Sequence, residues 1–296
     1  MQYDSTGKLD LTQIYNRDSP VEYFAALSSL DYCIPQNAKP FLRQLVEARR
    51  KLSGRQSVKL IDIGCSYGVN AALLKYGLSF EDLVAHYGEL VGRSRNNMIR
   101  EDEIFYACPA DEDLEIVGLD TAHRALRYAT EAGILDQSVS LNLEAADAPP
   151  TLRDDALADA DLIISTGCFG YITTRTLDRL LDCSRAAAPW MCHTVLRMFD
   201  FTDAAAMLAE RGYVTEEIEG LIPQRRFASD EEQDHVLARL ARAGINSIGH
   251  ETHGWYYATM FVSRPVGDTL TLPLEIVLAS ATNRIAQPER PPSIRN

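Results

Sequence analysis

Between residues 58 and 200, short apolar runs alternate with segments of helical period, and no other feature restricts the fold as much. "VKLIDI" (58–63), "LEIVGLD" (114–120), "SVSLNLEAAD" (138–147), "DLIISTGCFGYI" (161–172) and "PWMCHTVLRMF" (189–199) read as strands. Helices are expected at 69–76, in "AHRALRYATEAGIL", in "TTRTLDRLLDCSRAAA" and in "TDAAAMLAERG". Such alternation predicts an α/β fold with a doubly wound, mostly parallel sheet. The stretches 213–222 and 255–263 follow without a full crossover pattern, which predicts an antiparallel edge strand.

Residues 1–57 predict an N-terminal helical cap, built from "SPVEYFAALSSLDY" and from "NAKPFLRQLVEARRKLSG", which stops at Gly54. Residues 78–113 read as a helical insertion in a ligand-binding domain over 58–264. Residues 265–296 form a tail, with "QPERPPSIRN" expected to be loose.

The net charge of −13 disfavours a phosphate backbone as partner, so no nucleic acid is expected. No run of eighteen apolar residues suggests a membrane span, and the polar N-terminus lacks signal-peptide character. The six cysteines show no zinc spacing, so no metal is expected. They read as free thiols of a cytoplasmic protein.

Where the first strand becomes a helix, the chain reads "LIDIGCSYGVNAALL" (60–74). In a doubly wound sheet, ligands bind at the carboxyl ends of strands, where glycines admit them against bare backbone. The dinucleotide fingerprint would need glycine at 66 and glycine or alanine at 69; Ser66 and Val69 stand there. No G-K-[ST] of a phosphate-binding loop follows. The remaining pattern, Asp62-x-Gly64-x-x-x-Gly68, resembles motif I of class I S-adenosylmethionine (SAM) dependent methyltransferases, with Ser66 for the middle glycine of D/E-x-G-x-G-x-G. The resemblance runs over roughly 58–200. It extends to Asp120 closing "IVGLD", to the acid of "LNLEAAD" and to "STGCFGY" after the fourth strand. That last stretch also lacks the N/D-P-P-Y/F/W motif of many nucleic-acid methyltransferases. Asp120 lies much further from Gly68 than the about 20 residues of an uninterrupted unit, hence the insertion.

The resemblance implies SAM as cofactor and methyl transfer to oxygen, nitrogen or carbon of a small-molecule substrate, of the kind met in secondary metabolism. An alternative within the fold uses SAM as a substrate, for instance by cyclising its aminobutyryl chain. Gly64 and Gly68 would admit the methionyl part, and Asp62 would attract its ammonium. Asp120 would accept the ribose hydroxyls, and Glu144, with Asp147 as rival, the adenine amine. Cys65, Ser66, Thr121, Thr166 and Cys168 complete the cofactor-binding set. Simpler roles stand beside these: a tight turn for the glycines, a helix cap for Asp120, and packing for Cys65 and Cys168. His193 and Tyr171 are the candidate bases, with His253 and Asp200 behind them; His193, inside an apolar strand, also reads as a core histidine. Tyr23, Tyr32 and Arg225 are candidate substrate-binding residues. The acceptor and the oligomeric state are not legible.

Overall fold

A computed structural model describes residues 3–4, 6–153, 155–184 and 188–281. From the N-terminus come α1 (Thr12–Tyr15), α2 (Val21–Ser28) and α3 (Ile34–Ser53). Then follow β1 (Val58–Ile63), α4 (Val69–Lys75), α5 (Phe80–Glu89), α6 (Arg95–Phe105), β2 (Leu114–Asp120) and α7 (His123–Glu131). The middle holds β3 (Gln137–Ser140), α8 (Pro150–Arg153), β4 (Leu162–Thr166), α9 (Thr174–Cys183), β5 (Trp190–Leu196) and α10 (Thr202–Glu210). Last are β6 (Tyr213–Glu217), β7 (Ile222–Arg226), α11 (Asp230–Arg242), β8 (Trp255–Pro265), α12 (Val266–Thr271) and α13 (Leu274–Leu278).

The strands form one sheet in the order β3-β2-β1-β4-β5-β8-β6. The five from β3 to β5 are parallel, as their alternation with helices requires. β8 runs against them, but it is not an edge strand. Its one side pairs with β5, and its other side is shared end to end by β6 and β7. One core layer contains Leu60, Ile164 and Cys192 with α3, α4 and α7; the other contains Ile61, Ile163 and Met191 with α9 and α10. That alternation follows from the period of two along each strand.

Two strands are shorter than the sequence suggests. β3 stops at Ser140, and Leu141 to Asp147 turn away; β4 stops at Thr166, and Gly167, at φ 80°, begins a loop. Both truncations matter, because the freed segments wall the cavity described below.

α3 starts with Pro35 in its first turn and ends on the left-handed Gly54, as its sequence predicts. It packs on the sheet and on α4, and none of its residues lines the cavity described below. α13 docks on α3 through Leu274, Val277 and Leu278. The "QPERPPSIRN" segment lies outside the described residues.

The segment between α4 and β2 is helical, as expected. Ser79 and Asp82 form a reciprocal capping box that starts α5. Phe24 of α2 stacks on Tyr87 of α5 at 4.6 Å, which ties this segment to the cap. Beneath it Asp102, wholly buried, accepts from Tyr128 Oη at 2.6 Å and Tyr87 Oη at 3.3 Å and meets His86 Nε2 at 2.6 Å. Asp102→Ala strands these donors, and the expected loss is about 2 kcal/mol or more of unfolding free energy by urea titration. A change within about 0.5 kcal/mol, the usual surface value, would refute the network's structural role.

Candidate functional site

The carboxyl ends of β1, β2 and β4 open into a cavity of about 520 Å³. This is where a doubly wound sheet places its ligands, and the volume suits a small molecule. Ile63 and Gly64, Leu119 and Asp120, and Thr166 to Cys168 form its floor. Leu141 to Glu144 and Tyr171 form one wall, and Gln224 and Arg225 another. Lys8 to Thr12, Tyr15, Asn16, Tyr23, Leu27 and Tyr32 cover it.

The glycine turn divides its labour. Gly64 has φ 71° and lines the cavity, and a Cβ there would stand 2.8 Å from Cys168 Cβ. Gly68, also left-handed, does not line it; a Cβ at 68 would strike Ile134 at 2.9 Å. Gly68 therefore lets α4 start close against the loop before β3, which corrects its assignment to ligand contact. Ser66 occupies a left-handed conformation at φ 49°, which explains why glycine suits this position in the motif it resembles. Its amide donates to Asp120 Oδ2 at 2.8 Å, while its side chain faces away from the cavity. Cys65 is buried against Gly118 and packs, as its simpler reading held.

Asp120 lines the cavity. Oδ2 takes the Ser66 amide and Oδ1 the Ala122 amide at 3.0 Å. Each oxygen keeps a lone pair, so the carboxylate can still accept two hydroxyl protons. Thr121 lines the cavity beside it. The cap reading of Asp120 is replaced by this turn: α7 begins at His123, and its N-cap position is Ala122, which makes no side-chain cap.

Asp62 is wholly buried and does not line the cavity. Its Oδ1 accepts from Asn70 Nδ2 at 3.0 Å, and the same amide nitrogen donates to Thr166 Oγ1 at 2.9 Å. Thr166 is on the floor, so Asp62 reaches the cavity only through that relay. Asp62 Oδ2 and Asn70 Oδ1 are buried with no hydrogen-bond partner among the described residues. Burial, with a smaller contribution from the Asp120 charge, raises the Asp62 pKa to about 7, against the pull of Asn70. A folded pKa above the ordinary 3.8 gives stability that is complete below pH 4 and is lost as pH rises through 7. Asp62→Asn should therefore flatten the stability profile between those limits, by on the order of a few kcal/mol. Parallel profiles for the two proteins in urea titrations would sink this assignment.

Glu144 borders the cavity, but its carboxylate is engaged elsewhere. It accepts from the amides of Thr173 and Thr176 and from both their hydroxyls, closing the N-terminus of α9. Burial pushes its pKa up, yet those bonds outweigh it and hold it below the ordinary range. Glu144 is corrected to a helix cap. The rival, Asp147, is an exposed partner of Arg179.

His193 points to the face of β5 that carries Met191 and Val195, not into the cavity. It shares a 2.8 Å hydrogen bond with Ser165 and packs between Phe169 and Phe201. Burial lowers its pKa to about 3, so it stays neutral and is no base. Tyr171 does line the cavity, with its hydroxyl donated to Asp4 and its pKa raised, chiefly by burial. Asp200 caps the first turn of α10 through Thr202.

Arg225 lines the cavity but is spent on Glu232, with contacts of 2.8 and 3.0 Å between fully buried groups. It lies on β7, a strand that the sequence pattern does not announce. Tyr23 and Tyr32 both reach the cavity; Tyr23 also packs edge-on against Tyr15 and Phe24.

Sequence reasoning missed the contribution of residues 3–16. Asp4 accepts the amides of Thr6 and Lys8, and Gly7, at φ 86°, completes a turn that delivers Lys8 and Leu9 over the floor. Tyr67, inside the glycine turn, donates to Arg17 O at 2.9 Å and accepts from Arg17 N at 3.0 Å, pinning the cover to the floor. Lys8 is 7% exposed. Burial, then the charge of Arg225, lowers its pKa to about 8. Only the signal "D-S-T-G-K" of a local turn was available to find it.

No family model and no curated protein matches the chain. Solved structures do. A precorrin-6y C5,15-methyltransferase from Geobacter metallireducens is 14% identical over 71% of this chain and 80% of its own, at TM-score 0.34. An O-methyltransferase from a trans-AT polyketide synthase multienzyme of Brevibacillus brevis, in complex with S-adenosyl-L-homocysteine (SAH), is 11% identical over 98% of this chain and 96% of its own, at TM-score 0.40. A plantazolicin methyltransferase with SAH and a desmethyl analogue is 9% identical over 86% and 98%, at TM-score 0.40. The chain is similar to these methyltransferases. At such identities the likeness is one of fold, and function rests on the cavity's own residues.

Proposed function

We propose that the chain is a SAM-dependent methyltransferase acting on a small-molecule acceptor held in this cavity. The observation that carries the reading is Asp120, a carboxylate at the end of β2 with a lone pair on each oxygen facing the cavity beside the bare Cα of Gly64. A ribose diol fits that carboxylate, and the bare backbone of Gly64 borders the cavity where a methionyl chain would lie. Asp62 would act on an ammonium near Thr166 only through Asn70, whose amide nitrogen bonds both Asp62 Oδ1 and Thr166 Oγ1. Bound SAM would supply a methyl group already activated by a sulfonium. The protein's part is to position, which can contribute about 7–11 kcal/mol.

The residues assigned to the cofactor are Gly64, Asp120, Thr121, Thr166 and Cys168, with Asp62 acting through Asn70. The acceptor lies beneath the cover, against Tyr23, Tyr32 and Tyr171. Residues 58–264 form the catalytic unit in this reading, and residues 3–32 its cover. Among the described residues no helix is long and apolar enough to cross a membrane.

Calorimetry with SAM and SAH tests the reading: both should give saturable heats. No heat at millimolar SAM would end it. Product analysis then separates methyl transfer, which leaves SAH, from cyclisation, which leaves methylthioadenosine.

A further inference from the structure

The cover of the cavity is rich in hydrogen-bond donors and poor in free acceptors. The carboxylates near Lys8 are already hydrogen-bonded, and Asp10, on the same cover, accepts the Thr12 amide at 2.9 Å. Asp4 takes the Thr6 amide and hydroxyl, the Lys8 amide and the Tyr171 hydroxyl. Glu232 takes Arg225 twice and the amides of Leu9 and Ala228. Arg225 is consumed in that pair. Lys8 differs: more than nine-tenths buried, it lines the cavity and makes no hydrogen bond or ion pair to a described residue through its ammonium. Its one close partner is the Tyr171 ring, 5.0 Å from Nζ. The hydroxyls of Tyr15 and Tyr32, on the same cavity, have no hydrogen-bond partner among the described residues either. Burial raises both phenols, so they remain donors. Lys8 and Tyr32 lie within electrostatic range of the Cys168 thiol, beside Gly64.

Asp4 and Glu232 act on the Lys8 ammonium only at a distance, their oxygens being bonded elsewhere, and a buried ammonium with no hydrogen-bonded counter-ion is costly unless a ligand supplies one. We infer that Lys8 is a carboxylate-binding residue, which with the phenols of Tyr15 and Tyr32 receives an anionic group of a bound small molecule. The inference rests on the reading of the cavity as the cofactor and acceptor pocket. Two carboxylates could occupy the site: that of the aminobutyryl chain of the cofactor, or that of an acidic acceptor.

Two probe pairs distinguish them, each measured by calorimetry on the full chain. SAH carries the carboxylate and methylthioadenosine lacks it; benzoate carries one and benzamide does not. Lys8→Met should weaken one carboxylate probe by about tenfold or more, with its uncharged counterpart changed less than about twofold. Lys8→Arg should restore most of the loss, and circular dichroism confirms that both variants fold. A selective loss for SAH places the cofactor's carboxylate on Lys8, and one for benzoate places an acceptor's there. Equal changes within both pairs, or neither carboxylate probe binding the wild-type protein at millimolar concentration, overturn the inference. If adenosyl compounds fail to bind while benzoate binds in a Lys8-dependent way, the proposed function falls and the anion site stands.

Discussion

Asp120→Ala should bind SAH at least about 100-fold more weakly than the wild-type protein. The carboxylate has two tasks at one place. It fixes the turn by accepting the amides of Ser66 and Ala122, and it presents its remaining lone pairs to the cavity. A hydrogen bond to a charged group contributes about 1.5–3 kcal/mol net, and the alanine variant loses two such bonds to the diol. It also frees Ser66, whose left-handed backbone is held in part by that carboxylate. Asp120→Asn keeps an acceptor oxygen without the charge and should fall between the two. Calorimetry with SAH, with circular dichroism as a check on folding, decides the matter. Unchanged affinity in a folded alanine variant would remove the basis of the proposed function.

Glu232→Ala should cost about 3–5 kcal/mol of stability, read from urea titration. Both Glu232 and Arg225 have almost no solvent exposure, and removing the acid leaves a guanidinium buried without its counter-charge. The Leu9 amide loses its acceptor at the same time, and with it the cover loses one of its ties to α11. Ligand affinity should fall alongside stability. Arg225→Met combined with Glu232→Leu should recover much of the stability, because an apolar pair of similar volume incurs no desolvation cost. A single variant as stable as the double one would show that the pair is not the anchor described here.

Local chemistry announced much of the site's floor. The bounds of β1 and β2 are those of "VKLIDI" and "LEIVGLD", since buried parallel strands are short apolar runs that little else resembles. Asp120 was legible for the same reason: it closes such a run. Glu144 was not, because the same residue type serves equally at a helix N-terminus, and only the approach of α9 decided which. β7 was hidden because "IPQRR" carries no apolar alternation; it is a strand through its pairing with the outer side of β8. His193 shows the limit of reading by residue type. A histidine one register away would face the other layer, and period-two geometry alone turned this one into the phenylalanine cluster.

By itself the sequence determined the parallel α/β sheet, the left-handed glycine turn after β1 and the acid after β2. These are set by hydrophobic period and backbone sterics over a few neighbouring residues. Tertiary structure decided which side chains face the cavity, that Arg225 is neutralised and that Lys8 is not. The Arg225–Glu232 pair is near in sequence but is buried only because the N-terminal cover closes over it, as the bond from the Leu9 amide to Glu232 across 223 positions shows, and no local pattern encodes that meeting.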